Sequence, residues 1–109
     1  MNIKQLTQFL KILADESRIR ILLLLKNNRL SVNEICAALE MNQPAVSKHL
    51  VKLRYLNIVH DQREGIFVYY SINEKNKEAM KLLNYVFDEY SDIPTFVEDS
   101  KKLEDEVLS

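Results

Sequence analysis

The sequence predicts a mostly α-helical chain that carries one small β-hairpin. Three observations lead to this fold class. Apolar residues recur at helical spacing through most of the 109 residues. β-branched and aromatic residues are concentrated in one stretch, "NIVHDQREGIFVYYSI". The only glycine of the chain, Gly65, falls inside that stretch, where a tight turn needs a positive φ.

The first two helices are predicted from their apolar stripes. The first helix, at about residues 2–14, has apolar residues at i, i+3, i+4 and i+7, which fall on one face: Leu6, Phe9, Leu10 and Leu13. Asp15 is suited to cap a second helix at about 16–27. The stripe of this second helix consists of Ile19, Leu22 and Leu23. The polar segment "KNNR" then ends it.

Two shorter helices follow, separated by a tight turn. Ser31 and Glu34 have the spacing of a capping box, in which each side chain satisfies a free backbone amide of the other residue. The third helix carries a stripe of Val32, Ile35, Cys36 and Leu39. Asn42 is suited to cap the fourth helix, and Pro44 is tolerated in its first turn because amides there lack helical acceptors. The stripe of the fourth helix consists of Val46, Leu50 and Leu53.

A hairpin and one more helix complete the predicted elements. The alternating runs on either side of "REG" predict two short strands with Gly65 at the tip between them. From Asn73 the helical period returns, with a stripe of Ala79, Leu83, Val86, Phe87 and Tyr90. Pro94 disfavours helix at Ile93, so we expect the last helix to stop near residue 91.

The chain is predicted to consist of one domain, residues 1–92, and an acidic C-terminal tail, residues 93–109. The tail either forms a weak extra helix or frays. Charge is distributed unevenly, because residues 1–72 hold ten Lys and Arg against six Asp and Glu, whereas residues 73–109 hold five against ten. A basic body with an acidic tail suits a polyanionic partner on one side of the molecule.

Several classes of protein do not fit the sequence. No apolar run approaches the ~20 residues that a membrane helix needs, and the N-terminus carries polar residues throughout, unlike a secretory signal. A single cysteine fits a reducing cytoplasm. The sequence offers no nucleophile–base arrangement, no Gly-rich phosphate loop and no paired catalytic carboxylates, so we do not expect an enzyme.

The predicted order of elements, α-α-α-α-β-β-α, matches a winged helix-turn-helix, in which the second helix of the pair enters the major groove. Three motifs also resemble a known family: "LKILADESRIRILLLL", "NQPAVSKHLVKLRYLNIV" and "REGIFVYYSI". They are similar to the arsenical-resistance and metal-sensing repressor family (ArsR/SmtB), over roughly residues 6–90. The resemblance implies a homodimeric repressor that binds double-stranded DNA at an operator and often releases it when an inducer binds.

Seven residues form the predicted DNA-binding set: Gln43, Ala45, Ser47, Lys48, His49, Lys52 and Arg63. The resemblance puts Gln43 and Ser47 where such proteins commonly touch base edges. Glutamine can pair bidentately with adenine, although Gln43 also suits the start of a helix.

The other members of this set each have two interpretations. Lys48 and Lys52, one turn apart, either neutralise phosphates or form an ordinary solvated face. His49 either donates to DNA or tucks against its own domain. Arg63 is either a wing contact or part of a polar turn.

The stripes of the first and last helices also have two possible uses. They either cover the core of a monomer or form a dimer interface, and the resemblance implies the second use. The predicted dimerisation residues are Leu6, Phe9, Leu10, Leu83, Val86, Phe87 and Tyr90. A two-fold dimer sets its recognition helices about 34–36 Å apart and binds an imperfect palindrome.

The resemblance raises the question of a metal sensor. Many relatives bind metal through a cysteine pair, L-C-V-C, at the start of the third helix, but here "LSVN" puts Ser31 and Asn33 at those positions. A second ligand set in relatives places Asp, His, His and Glu on the last helix, but residues 74–91 contain no histidine. We therefore predict no metal site and no cofactor, and the inducer is left open.

Cys36 is the only cysteine, and it lies just before the predicted DNA-reading helix. Its place on the apolar stripe of the third helix favours core packing, because buried free cysteines behave as small hydrophobic residues. Two alternatives stay open: a sensor that uses Cys36 or an unrecognised pocket, and a winged helix used for protein–protein contact. The basic residues Lys48, Lys52 and Arg54 count against the latter.

Overall fold

The computed structural model describes residues 1–108 and is mostly helical, with one small antiparallel sheet. The elements in chain order are α1 (Ile3–Leu13), α2 (Glu16–Leu25), β1 (Leu30–Ser31), α3 (Val32–Leu39), α4 (Gln43–Tyr55), β2 (Val59–Glu64), β3 (Phe67–Ile72), α5 (Lys77–Tyr90) and α6 (Pro94–Leu103). A π-helical turn, Glu104–Leu108, follows α6 directly. The predicted fold class is confirmed, with β1 and α6 as additions to the predicted order.

Side-chain caps fix the starts of α2 and of α3, the first helix of the helix-turn-helix pair α3 and α4. The Asp15 side chain accepts from the Arg18 amide at the start of α2. At the start of α3, the Ser31 amide donates to Glu34 Oε1 at 2.9 Å and the Glu34 amide donates to Ser31 Oγ at 3.2 Å. The predicted capping box is therefore confirmed. It determines where α3 begins, since two of its free amides find acceptors there.

The sheet has the strand order β1-β3-β2, so the wing is more than an isolated hairpin. Gly65 lies at the hairpin tip with φ +61°, as predicted, and an added Cβ would meet nothing within 4 Å. Strand β1 has only two residues, Leu30 and Ser31, which lie opposite Tyr70 and Tyr69 of β3. Because Ser31 also caps α3, this short strand joins the wing directly to the helix-turn-helix.

The core is centred on the helix-turn-helix and the strands beside it. The ten largest side chains that are fully buried belong mainly to α2, α3 and α4: Ile21, Leu22, Leu24, Leu30, Ile35, Val46, Leu50, Leu53, Ile58 and Val59. On α2, the predicted stripe was too narrow, because Ile21, Leu24 and Leu25 are buried while Ile19 and Leu23 are only half-buried. Helix α2 is thus enclosed on most sides, which a single stripe does not describe.

The predicted dimerisation residues divide between the core and the surface. Phe9, Leu83 and Phe87 are buried within the single chain. Leu6, Leu10 and Tyr90 are exposed, and Val86 is half-buried. One side of each stripe therefore closes the core and the other side is uncovered, and the use of the uncovered side as a dimer interface stays a prediction.

The segment that the sequence set apart as an acidic tail is helical and packed. Helix α6 lies against α3 and α2, and Leu103 is buried. Arg20 of α2 and Asp99 of α6 form a bidentate ion pair, with Nε–Oδ2 and Nη2–Oδ1 distances both of 2.8 Å. The boundary at residue 92 therefore does not separate a packed domain from a loose tail. Ser109, the last tail residue, lies outside the described residues.

The sequence left open whether this segment forms a weak helix or frays, and it forms a helix. Helix α5 ends at Tyr90, close to the predicted residue 91, and Pro94 occupies the first turn of α6, where the missing amide costs nothing. Within residues 1–108, no helix has the length and apolar character needed to cross a bilayer.

Candidate nucleic-acid interface

Helix α4 is held in place by its buried side and leaves its other side free. Asn42 Oδ1 accepts from the Ala45 amide at 2.9 Å, which fixes the first turn. The predicted stripe of Val46, Leu50 and Leu53 is completely buried. The exposed side therefore has a fixed direction relative to the body of the protein, as a rigid reading element requires.

The start of α4 presents a pair of polar side chains joined to each other. Gln43 Nε2 donates to Ser47 Oγ at 2.9 Å. Gln43 is exposed, and Ser47 and Ala45 are half-exposed. This hydrogen bond uses one of the two N–H groups of Gln43, so its other N–H and its carbonyl oxygen are left to pair with a base edge.

Two lysines follow on the exposed side of α4. Lys48 and Lys52 are both exposed, and neither forms an ion pair with any residue between 1 and 108. The nearby Arg54 differs, because its Nη1 lies 3.0 Å from Asp61 Oδ2 on strand β2. Lys48 and Lys52 thus keep their charges available to an external anion, whereas Arg54 links α4 to the wing.

His49 lies on the same helix but turns partly inward. Its Nδ1 lies 3.2 Å from Nη1 of Arg18, a buried residue of α2. Burial lowers the pKa of His49, and the positive charges of Arg18, Lys52 and Lys48 act in the same direction while Asp15 opposes them. The geometry favours the interpretation in which His49 packs against its own domain. Sequence reasoning missed Arg18, because its partner is 31 residues away.

The wing is braced by an arginine that the sequence did not single out. Arg29 Nη2 lies 2.6 Å from Glu64 Oε1, and the Arg29 guanidinium lies over the Tyr69 ring at 4.2 Å. Arg63 is exposed next to this brace and forms no ion pair within the described part of the chain. The wing therefore presents Arg63 from a supported strand.

Ser31, at one of the thiolate ligand positions of the resembled family, and Cys36, the only thiol of the chain, have structural roles here. Within residues 1–108 no three His, Cys, Asp or Glu side chains come together where they could hold a metal ion. Ser31 is engaged in the cap of α3. Cys36 is half-buried and packs against the core, and burial raises the pKa of its thiol. A raised pKa leaves less thiolate, the form that binds metals and reacts with oxidants.

Known proteins with similar sequences are transcriptional regulators. Residues 15–61 match the family described as "Bacterial regulatory protein, arsR family". The arsenical resistance operon repressor of Escherichia coli is 42% identical over 67 residues, which are 61% of this chain and 57% of that protein. The chain thus matches little more than half of that relative. The transcriptional repressor PagR of Bacillus anthracis is 36% identical over 86 residues, 77% of this chain and 86% of PagR.

Solved structures with the same fold support this relationship. Reduced HlyU from Vibrio cholerae, a transcriptional activator, superposes with a TM-score of 0.72 and 32% identity over 80% of this chain and 90% of HlyU. The homodimeric winged helix-turn-helix DNA-binding domain of Mb0332 from Mycobacterium bovis superposes with a TM-score of 0.69 and 31% identity, covering 77% of this chain and 76% of that one. The chain therefore belongs to the ArsR family of bacterial regulatory proteins.

Proposed function

We propose that this chain is a homodimeric transcriptional repressor that binds a specific palindromic operator through α4 and the wing. One observation carries the proposal. The exposed side of α4 combines a hydrogen-bonded polar pair, Gln43 and Ser47, with two unpaired lysines on a helix whose other side is completely buried. Members of the family are transcriptional regulators rather than enzymes, as the sequence predicted. This role places the protein in the bacterial cytoplasm, where the operator is.

The dimer in this proposal uses the uncovered side of α1 and α5. Six large hydrophobic residues of these helices are exposed in the single chain: Ile3, Leu6, Leu10, Leu82, Tyr85 and Tyr90. Exposed apolar residues on two helices that also supply core residues are typical of a homodimer interface. The two-fold axis would then place two copies of α4 about 34–36 Å apart, on successive turns of one face of DNA.

The first experiment selects bound sequences from a random pool of double-stranded DNA. We expect an imperfect palindrome with half-sites about 10 base pairs apart, centre to centre. Recovery of no preferred sequence would contradict the proposal. The selected site then serves for measurements of affinity between 50 mM and 200 mM salt.

The second experiment replaces the two lysines. The double substitution Lys48→Ala with Lys52→Ala is expected to weaken binding strongly and to lower the slope of log K against log salt concentration by about 1.8 per protomer, because each lost phosphate contact removes about 0.9. Lys81→Ala with Lys101→Ala is the matched control, since it removes the same charge from exposed positions of α5 and α6. An equal change of slope in both double variants would mean that α4 does not contact phosphates.

The direction of regulation needs its own measurement, because the related HlyU is an activator. With the selected operator placed across a reporter promoter, expression of this chain is expected to lower reporter output. Raised output would refute the repressor part of the proposal and leave DNA binding intact.

A further inference from the structure

Arg18 connects three elements of the fold through one side chain. It is one of only two charged residues that are buried among residues 1–108. Its Nε donates to the Ile12 carbonyl at the end of α1 at 2.7 Å, and its Nη1 lies 3.2 Å from His49 Nδ1 on α4. Its Nη2 lies 3.8 Å from Asp15 Oδ2, beside the cap of α2. A buried guanidinium with these contacts is a fixed point for α4.

The chemistry of this contact determines where the His49 proton lies. A guanidinium carries only donors and keeps its charge, so Nδ1 of His49 must accept from Arg18. The ring proton is then on Nε2 and the imidazole is neutral. A second proton would put two cations 3.2 Å apart, and the burial that lowers the pKa of His49 acts against it as well.

The Nε2–H group of His49 is accessible to solvent and free to donate a hydrogen bond to a bound partner. No buried side-chain nitrogen or oxygen among residues 1–108 lacks a hydrogen-bond partner. Nε2 of His49 has no partner among those residues, so it is not buried and reaches solvent. His49 shares its helical face with Ala45, four residues before it, and Lys52, three residues after it. The donor therefore emerges beside Lys52, one of the two lysines that the proposed function assigns to phosphates.

We propose that Arg18 is a positioning residue for DNA binding, which holds His49 as a neutral Nε2–H donor to a phosphate oxygen of the DNA backbone. The inference rests on the proposed function, because it assumes that α4 faces DNA. It gives His49 both roles that the sequence left as alternatives: one nitrogen binds its own domain and the other binds DNA. Because the donor is neutral, its contact releases no counterion, and its loss changes affinity at every salt concentration without changing the salt slope.

Two substitutions of His49 test the contact with DNA. His49→Leu is expected to weaken operator binding about tenfold per protomer, the effect of losing one hydrogen bond to a charged group, with the salt slope unchanged. His49→Gln should recover most of that loss, since one amide offers an acceptor to Arg18 and a donor to DNA. Urea unfolding of both variants measures any part of the affinity loss that comes from a less stable fold. If His49→Gln recovers affinity but is no more stable than His49→Leu, the recovered affinity comes from the contact with DNA.

The role of Arg18 is tested by the position of the ring proton in wild-type protein and in Arg18→Met. Nitrogen-15 NMR of the wild type should show His49 protonated on Nε2 and unprotonated on Nδ1, with exposed His60 as the internal reference. In Arg18→Met, which offers no donor to Nδ1, we expect the Nε2–H preference of His49 to weaken together with operator affinity.

Three results would overturn the inference. They are an Nδ1–H tautomer in the wild type, wild-type affinity in His49→Leu, and a salt slope in His49→Leu that falls by about 0.9 per protomer, as for a lost cation. Each can occur while the lysine variants behave as expected, so failure here is distinct from failure of the proposed function. That function fails instead if the wild type selects no DNA sequence.

Discussion

Replacing Asp99 by alanine is expected to lower the free energy of unfolding by about 3 kcal/mol. The Asp99 side chain is 6% exposed and its partner Arg20 is 22% exposed, with two contacts of 2.8 Å between them. The hydrogen bonds to Asp99 raise the pKa of Arg20, and this guanidinium also stays charged when they are removed, because its ordinary pKa lies far above neutral pH. Loss of one partner of a buried pair costs about 3–5 kcal/mol, and the low end applies because Arg20 can partly rehydrate.

Urea unfolding at one fixed protein concentration measures this cost, since the stability of a dimer depends on concentration. Asp61→Ala is the matched control, because it breaks another arginine–aspartate pair, Arg54–Asp61, whose side chains are 50% and 33% exposed. We expect this control to cost less than about 1 kcal/mol. The double substitution Arg20→Met with Asp99→Leu should lie close to wild type, because no unpaired charge is left buried.

A loss in Asp99→Ala no greater than that in Asp61→Ala would refute this reasoning. The slope of the unfolding free energy against urea gives a second check, since it scales with the surface exposed on unfolding. A smaller slope in Asp99→Ala would show that α6 has already left α2 and α3 in the folded protein. An unchanged slope with the predicted loss would show that α6 stays docked over an unpaired charge.

Two further predictions follow from shifted pKa values. The contribution of neutral His49 to the free energy of unfolding is expected to be fully present above pH 6.5, the ordinary pKa of histidine. It should be lost as the pH drops from there through the lower pKa that His49 has in the folded protein, because the unfolded chain binds the proton more readily. Urea unfolding between pH 5 and 8 measures this fall, and an identical fall in His49→Gln would exclude His49 as its source. The Cys36 thiol is expected to react with iodoacetamide much more slowly in the native protein than in urea, and Cys36→Ala should leave operator binding unchanged. Equal rates of alkylation would show that the thiol is not protected by the fold.

The parts of the fold that the sequence predicts are those that depend on neighbouring residues. The Ser31–Glu34 box and the Asn42 cap involve residues three positions apart, and Gly65 needs only its own φ. Strand β1 was missed because two residues are too few to show alternation, and it exists only by pairing with β3. The docking of α6 was missed because it depends on Arg20 and Asp99, which are 79 residues apart.

In the candidate site, too, the features set by nearby residues could be predicted and the contacts between distant residues could not. The exposure of Gln43, Lys48 and Lys52 follows from the helical period of α4 alone. The Arg18–His49 contact does not, because it joins two basic residues of different helices, and no charge pattern signals such a pair. Helical periodicity also could not show which apolar residues of α1 and α5 are buried in the core and which are exposed, since a core and a dimer interface are both built from apolar residues.

Helix α2 brings these long-range contacts together. Arg18 and Arg20 are two residues apart, which is about 200° around a helix, so they point to opposite sides. Arg18 reaches α4 on one side and Arg20 reaches α6 on the other, with the buried leucines of the same helix between them. Substitutions at these two positions should therefore have different effects. Loss of the Arg18 contact should alter DNA affinity, whereas loss of the Arg20 contact should alter the docking of α6 and global stability.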